Sequence, residues 1–125
     1  MAFMDWFKGK QIPKQWHTIT SKEDVNRIMT QSNEQTVAIF KHSTRCGISH
    51  SVLNHLIESL EQADEQLEIS YLDLIKYREV SDYIRDQLEV AHQSPQLIII
   101  RDNKAIYHSS HHAIRLENIL SEINI

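Results

Sequence analysis

The sequence predicts an α/β domain in which a mixed sheet of four strands is flanked by helices. Short apolar runs typical of strands alternate along the chain with segments whose apolar residues repeat at helical spacing. Near the end, two apolar runs, Gln96–Ile100 and Ala105–Tyr107, are separated by Asp102-Asn103, a turn signal that predicts an antiparallel hairpin. Alternating units predict parallel strands joined by helical crossovers, to which the hairpin adds an antiparallel strand.

Each element follows from a local pattern, in the order helix, strand, helix, strand, helix, strand, strand, helix. Ser21 is well placed to cap the first helix. The strand runs are Thr36–Phe40, Leu67–Leu72, Gln96–Ile100 and Ala105–Tyr107. The apolar helical positions are Val25, Ile28 and Met29; Val52, Leu53, Leu56, Ile57 and Leu60; Tyr77, Val80, Ile84 and Leu88; and Leu116, Ile119, Leu120 and Ile123.

The chain of 125 residues, of which 41% are hydrophobic, fits one compact domain with a core. We assign residues 20–125 to this domain and residues 1–19 to an N-terminal extension. With 13 Lys+Arg against 17 Asp+Glu, the net charge is −4, and the chain has no Lys/Arg block. This charge pattern argues against a nucleic-acid-binding protein.

Targeting signals and cysteine usage predict a cytoplasmic protein. No stretch approaches the roughly 18–20 apolar residues of a transmembrane segment. The first residues, Met1–Lys10, lack the apolar run and small-residue cleavage site of a signal peptide. A single cysteine allows no internal disulfide, which suits a reducing compartment.

The one cysteine, Cys46, falls between a predicted strand and a predicted helix. The first turn of a helix offers unpaired N–H groups and the positive end of the helix dipole, which favour a thiolate. Arg45, Lys41 and His42 add a positive local field. Ser49 stands where a Cys-x-x-Cys pair would carry its second thiol; its hydroxyl can donate a hydrogen bond to the sulfur but cannot attack a mixed disulfide.

A lone cysteine is often only a small buried hydrophobic residue. Here its neighbours Ser43, Thr44, Arg45 and Gly47 are typical of a loop and mostly polar. We therefore expect Cys46 to be a reactive, partly exposed thiol.

Ser94-Pro95 opens the run at Gln96 and permits two interpretations. A cis bond there would turn the Ser94 main chain toward an extended substrate beside Cys46, whereas an ordinary trans proline would simply begin a strand. The sequence leaves both open.

The segment Ser109–His112 precedes the final helix. Either Ser109 or Ser110 can cap that helix, and the amides around Ser110 and His111 could hold a carboxylate. Capping alone also explains the serines. The nearby His108, His111 and His112 match no zinc signature, so we predict no metal site.

Three segments carry a resemblance to a known family: KHSTRCGIS (Lys41–Ser49), HQSPQLIII (His92–Ile100) and HSSHHAI (His108–Ile114). Together they resemble the monothiol bacilliredoxin family, YtxJ-like redox proteins of the bacillithiol system with a thioredoxin-like fold. The similarity covers roughly residues 20–123. The usual family site reads Thr-Cys-Pro-Ile-Ser, and this chain has Arg45 and Gly47 in place of the Thr and the Pro.

The resemblance implies a monothiol thiol-disulfide oxidoreductase that removes bacillithiol from protein mixed disulfides (de-bacillithiolation). It implies no bound cofactor, with bacillithiol as a low-molecular-weight co-substrate. The implied partners are S-bacillithiolated proteins, together with bacillithiol or a redox partner protein that regenerates the thiol. The implied site consists of Cys46 as the nucleophile, Arg45, Gly47 and Ser49 as thiolate support, and Ser94, Pro95, Ser110 and His111 as substrate-binding residues.

Two other functions are compatible with the sequence. Cys46-Gly47-Ile48-Ser49 also resembles the Cys-Gly-Phe-Ser site of monothiol glutaredoxins, which carry an Fe–S cluster. Against this, Ser109-Ser110-His111 stand where glutaredoxins have Gly and an Asp-containing turn. The other alternative is a non-enzymatic thioredoxin-like adaptor in which Cys46 is a regulatory thiol.

Overall fold

A five-stranded sheet lies between two pairs of helices, with the strand order β1-β3-β2-β4-β5. The fold is that of a computed structural model, which describes residues 12–63 and 67–123. The strands are β1 (His17–Ile19), β2 (Val37–His42), β3 (Glu68–Asp73), β4 (Gln96–Arg101) and β5 (Lys104–Ser110). The helices are α1 (Lys22–Gln31), α2 (Gly47–Ala63), α3 (Arg78–Leu88) and α4 (Leu116–Ile123), and a 3-10 turn (His111–Ala113) precedes α4.

The sheet is mixed, as predicted, but it differs from the prediction in two ways. It has five strands rather than four, because β1 is a three-residue edge strand too short to show alternation in the sequence. The strands β1, β2 and β3 are parallel, whereas β4 runs antiparallel to β2, and β5 antiparallel to β4. An apolar run identifies a buried strand but does not encode its direction, so the sequence did not reveal the reversal of β4.

The N-terminal extension predicted over residues 1–19 includes part of the domain. Residues 17–19 pair with β3, and Trp16 is buried against Phe40. Residues 1–11 lie outside the described residues.

The core has two halves, one on each face of the sheet, because side chains alternate along each strand. Along β2, Val37 and Ile39 pack toward α1 and α3, while Ala38 and Phe40 pack toward α2 and α4. The same alternation continues to the end of the strand, where Lys41 bonds to α3 and His42 bonds to α2. Two polar side chains at the edge of the core are therefore directed to opposite faces.

The predicted cap and turn are confirmed. Ser21 Oγ accepts the Asp24 N–H at 3.2 Å and caps α1. Asp102 and Asn103 connect β4 to β5 with φ angles of 52° and 65°, the left-handed geometry that a two-residue hairpin turn requires and that these residue types tolerate.

Within the two described ranges, no helix is both long and apolar enough to cross a membrane.

Candidate functional site

Cys46 lies where β2 has ended and α2 begins. Its carbonyl accepts the His50 N–H at 3.2 Å, the first bond of the helix, and its own N–H donates to the Ser43 carbonyl at 3.2 Å. The thiol is free and partly exposed. The sulfur is therefore attached to the capping residue at the positive end of a 17-residue helix.

Ser49 lies one turn into α2 and is fully buried. Its Oγ accepts the Ser43 N–H at 3.1 Å and is hydrogen-bonded to His42 Nδ1 at 2.7 Å. We expected this hydroxyl to donate a hydrogen bond to the Cys46 sulfur. Instead, its partners are Ser43, at the start of the cysteine loop (residues 43–46), and His42, at the end of β2, so Ser49 stabilises the loop that presents the cysteine.

His42 fills the space beneath this loop. Its ring makes an edge-on contact with the His50 ring, with 4.6 Å between centroids, and a tilted contact with Tyr71 at 5.6 Å. The pKa of His42 is lowered to about 4, mainly by burial. The nearby His50 ring also lowers this pKa, and Asp73 raises it by a smaller amount. His42 is therefore neutral at pH 7 and does not supply the positive field expected from the sequence.

His50 is also hydrogen-bonded to the cysteine loop. Its Nε2 donates to the Thr44 carbonyl at 2.9 Å, because a carbonyl can only accept. The segment 43–46 is thus bonded to α2 through both Ser49 and His50, which restricts the position of Cys46.

Lys41, also expected beside the cysteine, is buried on the other face of the sheet. Its Nζ donates to the Ser81 carbonyl of α3 at 3.1 Å. Burial lowers the pKa of Lys41 to about 8; Arg85 lowers it further, and Asp82 opposes them. Arg45, which is exposed and adjacent to Cys46, is the sequence-predicted cation that remains on the cysteine side of the sheet.

Ser94-Pro95 forms a cis peptide bond directly before β4, which answers the question that the sequence left open. Since Lys41 pairs with Gln96 across β2 and β4, Pro95 lies beside the end of β2, close to the cysteine loop. The Pro95 carbonyl accepts the His111 N–H at 3.1 Å. Within the described residues, the buried Ser94 Oγ has no hydrogen-bond partner.

The segment before α4 differs from the prediction. Ser109 and Ser110 belong to β5, and the 3-10 turn separates them from α4, so neither serine caps that helix. The His111 amide, predicted to hold a carboxylate, is already bonded to Pro95. The structure therefore brings Pro95 and His111 together but leaves the His111 N–H unavailable to a ligand.

Sequence reasoning missed the pairing of His42 with Ser49. A signal was present, because His42 follows Phe40 by two residues in a buried strand and must therefore face the same side of the sheet.

Within residues 12–63 and 67–123, no three His, Cys, Asp or Glu side chains come together in a way that could hold a metal ion.

The comparison with protein families matches the chain to a family of redox proteins. A family model described as "Monothiol bacilliredoxin BrxC" matches residues 17–119, most of the chain and all of the site residues.

The solved structures that superpose on this chain have the thioredoxin fold. A protein described as a candidate oxidoreductase with a thioredoxin fold superposes with a TM-score of 0.75 and 22% identity, over 86% of this chain and 93% of that one. Thioredoxin from Trypanosoma brucei brucei superposes with a TM-score of 0.68 and 15% identity, over 92% of this chain and 95% of that one. Thioredoxin from Fasciola hepatica superposes with a TM-score of 0.65 and 14% identity, over 86% of this chain and 96% of that one. At these identities the similarity shows the thioredoxin fold.

Proposed function

Because the chain belongs to the monothiol bacilliredoxin family, a redox family, we propose that it is a monothiol oxidoreductase that removes bacillithiol from protein mixed disulfides. The observation that carries this proposal is the placement of a single, partly exposed thiol at the N-terminal end of α2 with Ser49 one turn later. A serine cannot resolve a mixed disulfide, so the chemistry that fits this site is transfer of one thiol at a time.

The electrostatics support Cys46 as the nucleophile. Cys46 lies at the positive end of the α2 dipole, and the exposed Arg45 adds a positive charge next to it in the chain. Gly47, the first residue of the helix, is exposed and carries no bulky side chain that could shield the sulfur from an approaching disulfide.

Two exchange steps complete the reaction. The Cys46 thiolate attacks the bacillithiol sulfur of a protein–S–S–bacillithiol disulfide, a Cys46–S–S–bacillithiol bond forms, and the protein leaves as a thiolate that takes a proton from water. A second thiolate, from bacillithiol or a redox partner protein, then attacks the bacillithiol sulfur on Cys46. The products are a new disulfide and the free Cys46 thiolate, so electrons balance without a bound cofactor.

The substrate protein would lie along Ser94 and Pro95. These residues border the cysteine loop at the start of β4, and Ser110 faces Gln96 directly across the hairpin. An extended peptide there could bond to the Ser94 main chain while its disulfide reaches Cys46.

Intact mass spectrometry tests the proposal. Incubation with excess oxidised bacillithiol should add one bacillithiol to the wild type, and the adduct should persist because the chain itself has no second thiol to displace it. Cys46→Ala should acquire no adduct. A bacillithiolated model protein should be reduced by the wild type in the presence of bacillithiol and left unchanged by Cys46→Ala.

The contrary outcomes distinguish the other functions. Equal rates for the wild type and Cys46→Ala would support a non-enzymatic adaptor. A preference for oxidised glutathione over oxidised bacillithiol would refute the assigned co-substrate. A visible absorption band after anaerobic reconstitution with iron, sulfide and glutathione, without thiol transfer, would support an Fe–S carrier.

A further inference from the structure

A cationic cavity lies beside the cysteine end of α2. It has a volume of about 220 Å³ and is lined by Ser51, Val52, His55, His112, Ile114 and Arg115. The polar lining consists of two imidazoles, one guanidinium and one hydroxyl, with no carboxylate. We propose that this cavity binds the carboxylates of the low-molecular-weight thiol, an inference that rests on the function proposed above.

The position of the cavity suits a ligand attached at Cys46. Ser51 and His55 are four residues apart and share a face of α2, about 8 and 14 Å along the helix axis from the cysteine. The opposite wall begins at His112, and the preceding residue, His111, is bonded to the Pro95 carbonyl. The cavity therefore lies between the first half of α2, whose N-terminal end carries Cys46, and the segment that is bonded to Pro95.

The chemistry of the cavity suits a dicarboxylate. Bacillithiol carries the two carboxylates of a malyl group at the end opposite its thiol, so the carboxylates would lie well away from the sulfur. A cavity of about 220 Å³ has room for such an end group. Ser51 and the two imidazoles can each donate a hydrogen bond to a carboxylate oxygen.

Arg115 is available for this role. Its Nε donates to the His112 carbonyl at 3.2 Å, which orients the guanidinium along the cavity wall. Its Nη1 lies 3.9 Å from Glu117 Oε1, a long contact between two exposed side chains. A ligand carboxylate can replace such a contact at little cost. This arrangement also supplies a carboxylate site that the His111 amide, bonded to Pro95, does not.

The test compares two mixed disulfides on the same model protein, one with bacillithiol and one with cysteamine, which has no carboxylate. Arg115→Gln and the double variant His55→Gln/His112→Gln should raise the KM for the bacillithiol disulfide about three- to tenfold, with kcat and both constants for the cysteamine disulfide unchanged. Arg115→Lys should recover part of the loss. The matched control is Arg27→Gln, at an exposed arginine on α1, which should leave KM and kcat unchanged for both disulfides.

A direct measurement complements the kinetics. Titration of the wild type with free malate should shift the ring resonances of His55 and His112, assigned through the two single variants, and free malate should inhibit the bacillithiol reaction competitively. The carboxylate site would be overturned if the KM values of the variants were unchanged, or if KM rose equally for the bacillithiol and the cysteamine disulfide. The function proposed for Cys46 would survive that result, because it is tested separately, by formation of the bacillithiol adduct and by the comparison of the wild type with Cys46→Ala.

Discussion

His42 Nδ1 lies 2.7 Å from Ser49 Oγ, directly beneath the loop that carries the single cysteine. The pair occupies the place where a dithiol site would keep its second sulfur. Since Ser49 also accepts the Ser43 N–H, this buried contact links the end of β2, the cysteine loop and the first turn of α2. At the position where a dithiol site would carry its second thiol, this chain therefore has a hydrogen-bonded anchor.

The buried His42 should make the protein acid-sensitive. Its pKa of about 4 in the folded state lies below its usual 6.5, so between these values the unfolded state binds more protons and stability falls as pH falls. The free energy of unfolding should drop by roughly 2 kcal/mol between pH 6.5 and pH 4, after allowance for solvent screening. Urea unfolding across this range measures the slope.

The variant His42→Asn keeps a polar group beside Ser49 but cannot titrate, so much of this slope should disappear. His92, whose pKa burial also lowers, contributes equally to both proteins and cancels in the difference. The hydrogen bond from the Thr20 N–H lowers the pKa of Asp24, so this carboxyl group affects the free energy of unfolding only below about pH 3.8. Identical slopes for the wild type and His42→Asn, with the exposed His108→Asn as a control, would contradict the prediction.

The variant Ser49→Cys should convert the site to a dithiol. Position 49 lies one helical turn from Cys46, the spacing at which the two sulfurs can meet. Oxidation should then give a species 2 Da lighter, and the bacillithiol adduct should no longer accumulate. Intact mass spectrometry measures both species.

The matched control is Ser59→Cys, which adds a thiol to the same helix about 20 Å along its axis from Cys46, too far for a disulfide. That variant should keep accumulating an adduct on Cys46. If Ser49→Cys behaved in the same way, position 49 would not lie next to the sulfur.

The sequence was sufficient to predict most of the fold. The helices had clear 3.6-residue periodicity, four strands stood out as short apolar runs, and the turn at Asp102-Asn103 is encoded by residue types that tolerate positive φ. The strand β1 was missed because three residues show no periodicity. The direction of β4 was missed because it depends on how the chain returns from α3, a tertiary property.

The candidate site was predicted less completely. The placement of Cys46 followed from the strand-to-helix boundary, a local signal. The environments of Lys41 and His42 did not, since each depends on which face of the sheet the side chain occupies. Once β2 was placed, alternation alone would have separated these two residues, because neighbours in a strand point to opposite faces.

The buried Lys41 should cost stability at neutral pH. With a pKa of about 8 it is still mostly protonated at pH 7, and the folded state must bury this charge with one identified acceptor, the Ser81 carbonyl. Replacement of a buried charge by a similar apolar side chain is often stabilising. We therefore expect Lys41→Met to raise the free energy of unfolding by about 1–2 kcal/mol at pH 7.

The pH dependence provides the second measurement. Since the folded-state pKa lies below the ordinary 10.5, the unfolded state binds more protons between pH 8 and 10.5, and wild-type stability gains from Lys41 in this window as pH rises. The advantage of Lys41→Met should therefore shrink above pH 8. The exposed Lys104→Met should show neither effect, and a destabilised Lys41→Met at pH 7 would mean that the bond to Ser81 outweighs the burial cost.

The variant Gly47→Ala should stabilise the protein without impairing the thiol. Gly47 is the first residue of α2, it has no left-handed φ, and an added Cβ would meet nothing within 4 Å. Alanine at such a position lowers the entropy of the unfolded chain, and the expected gain is about 0.5–1 kcal/mol in urea unfolding. The rate of bacillithiol adduct formation at Cys46 should match the wild type, because one exposed methyl group leaves the sulfur accessible. A severalfold slower rate, at undiminished stability, would show instead that the substrate main chain must pass close to Gly47 and that the missing side chain is part of the binding surface.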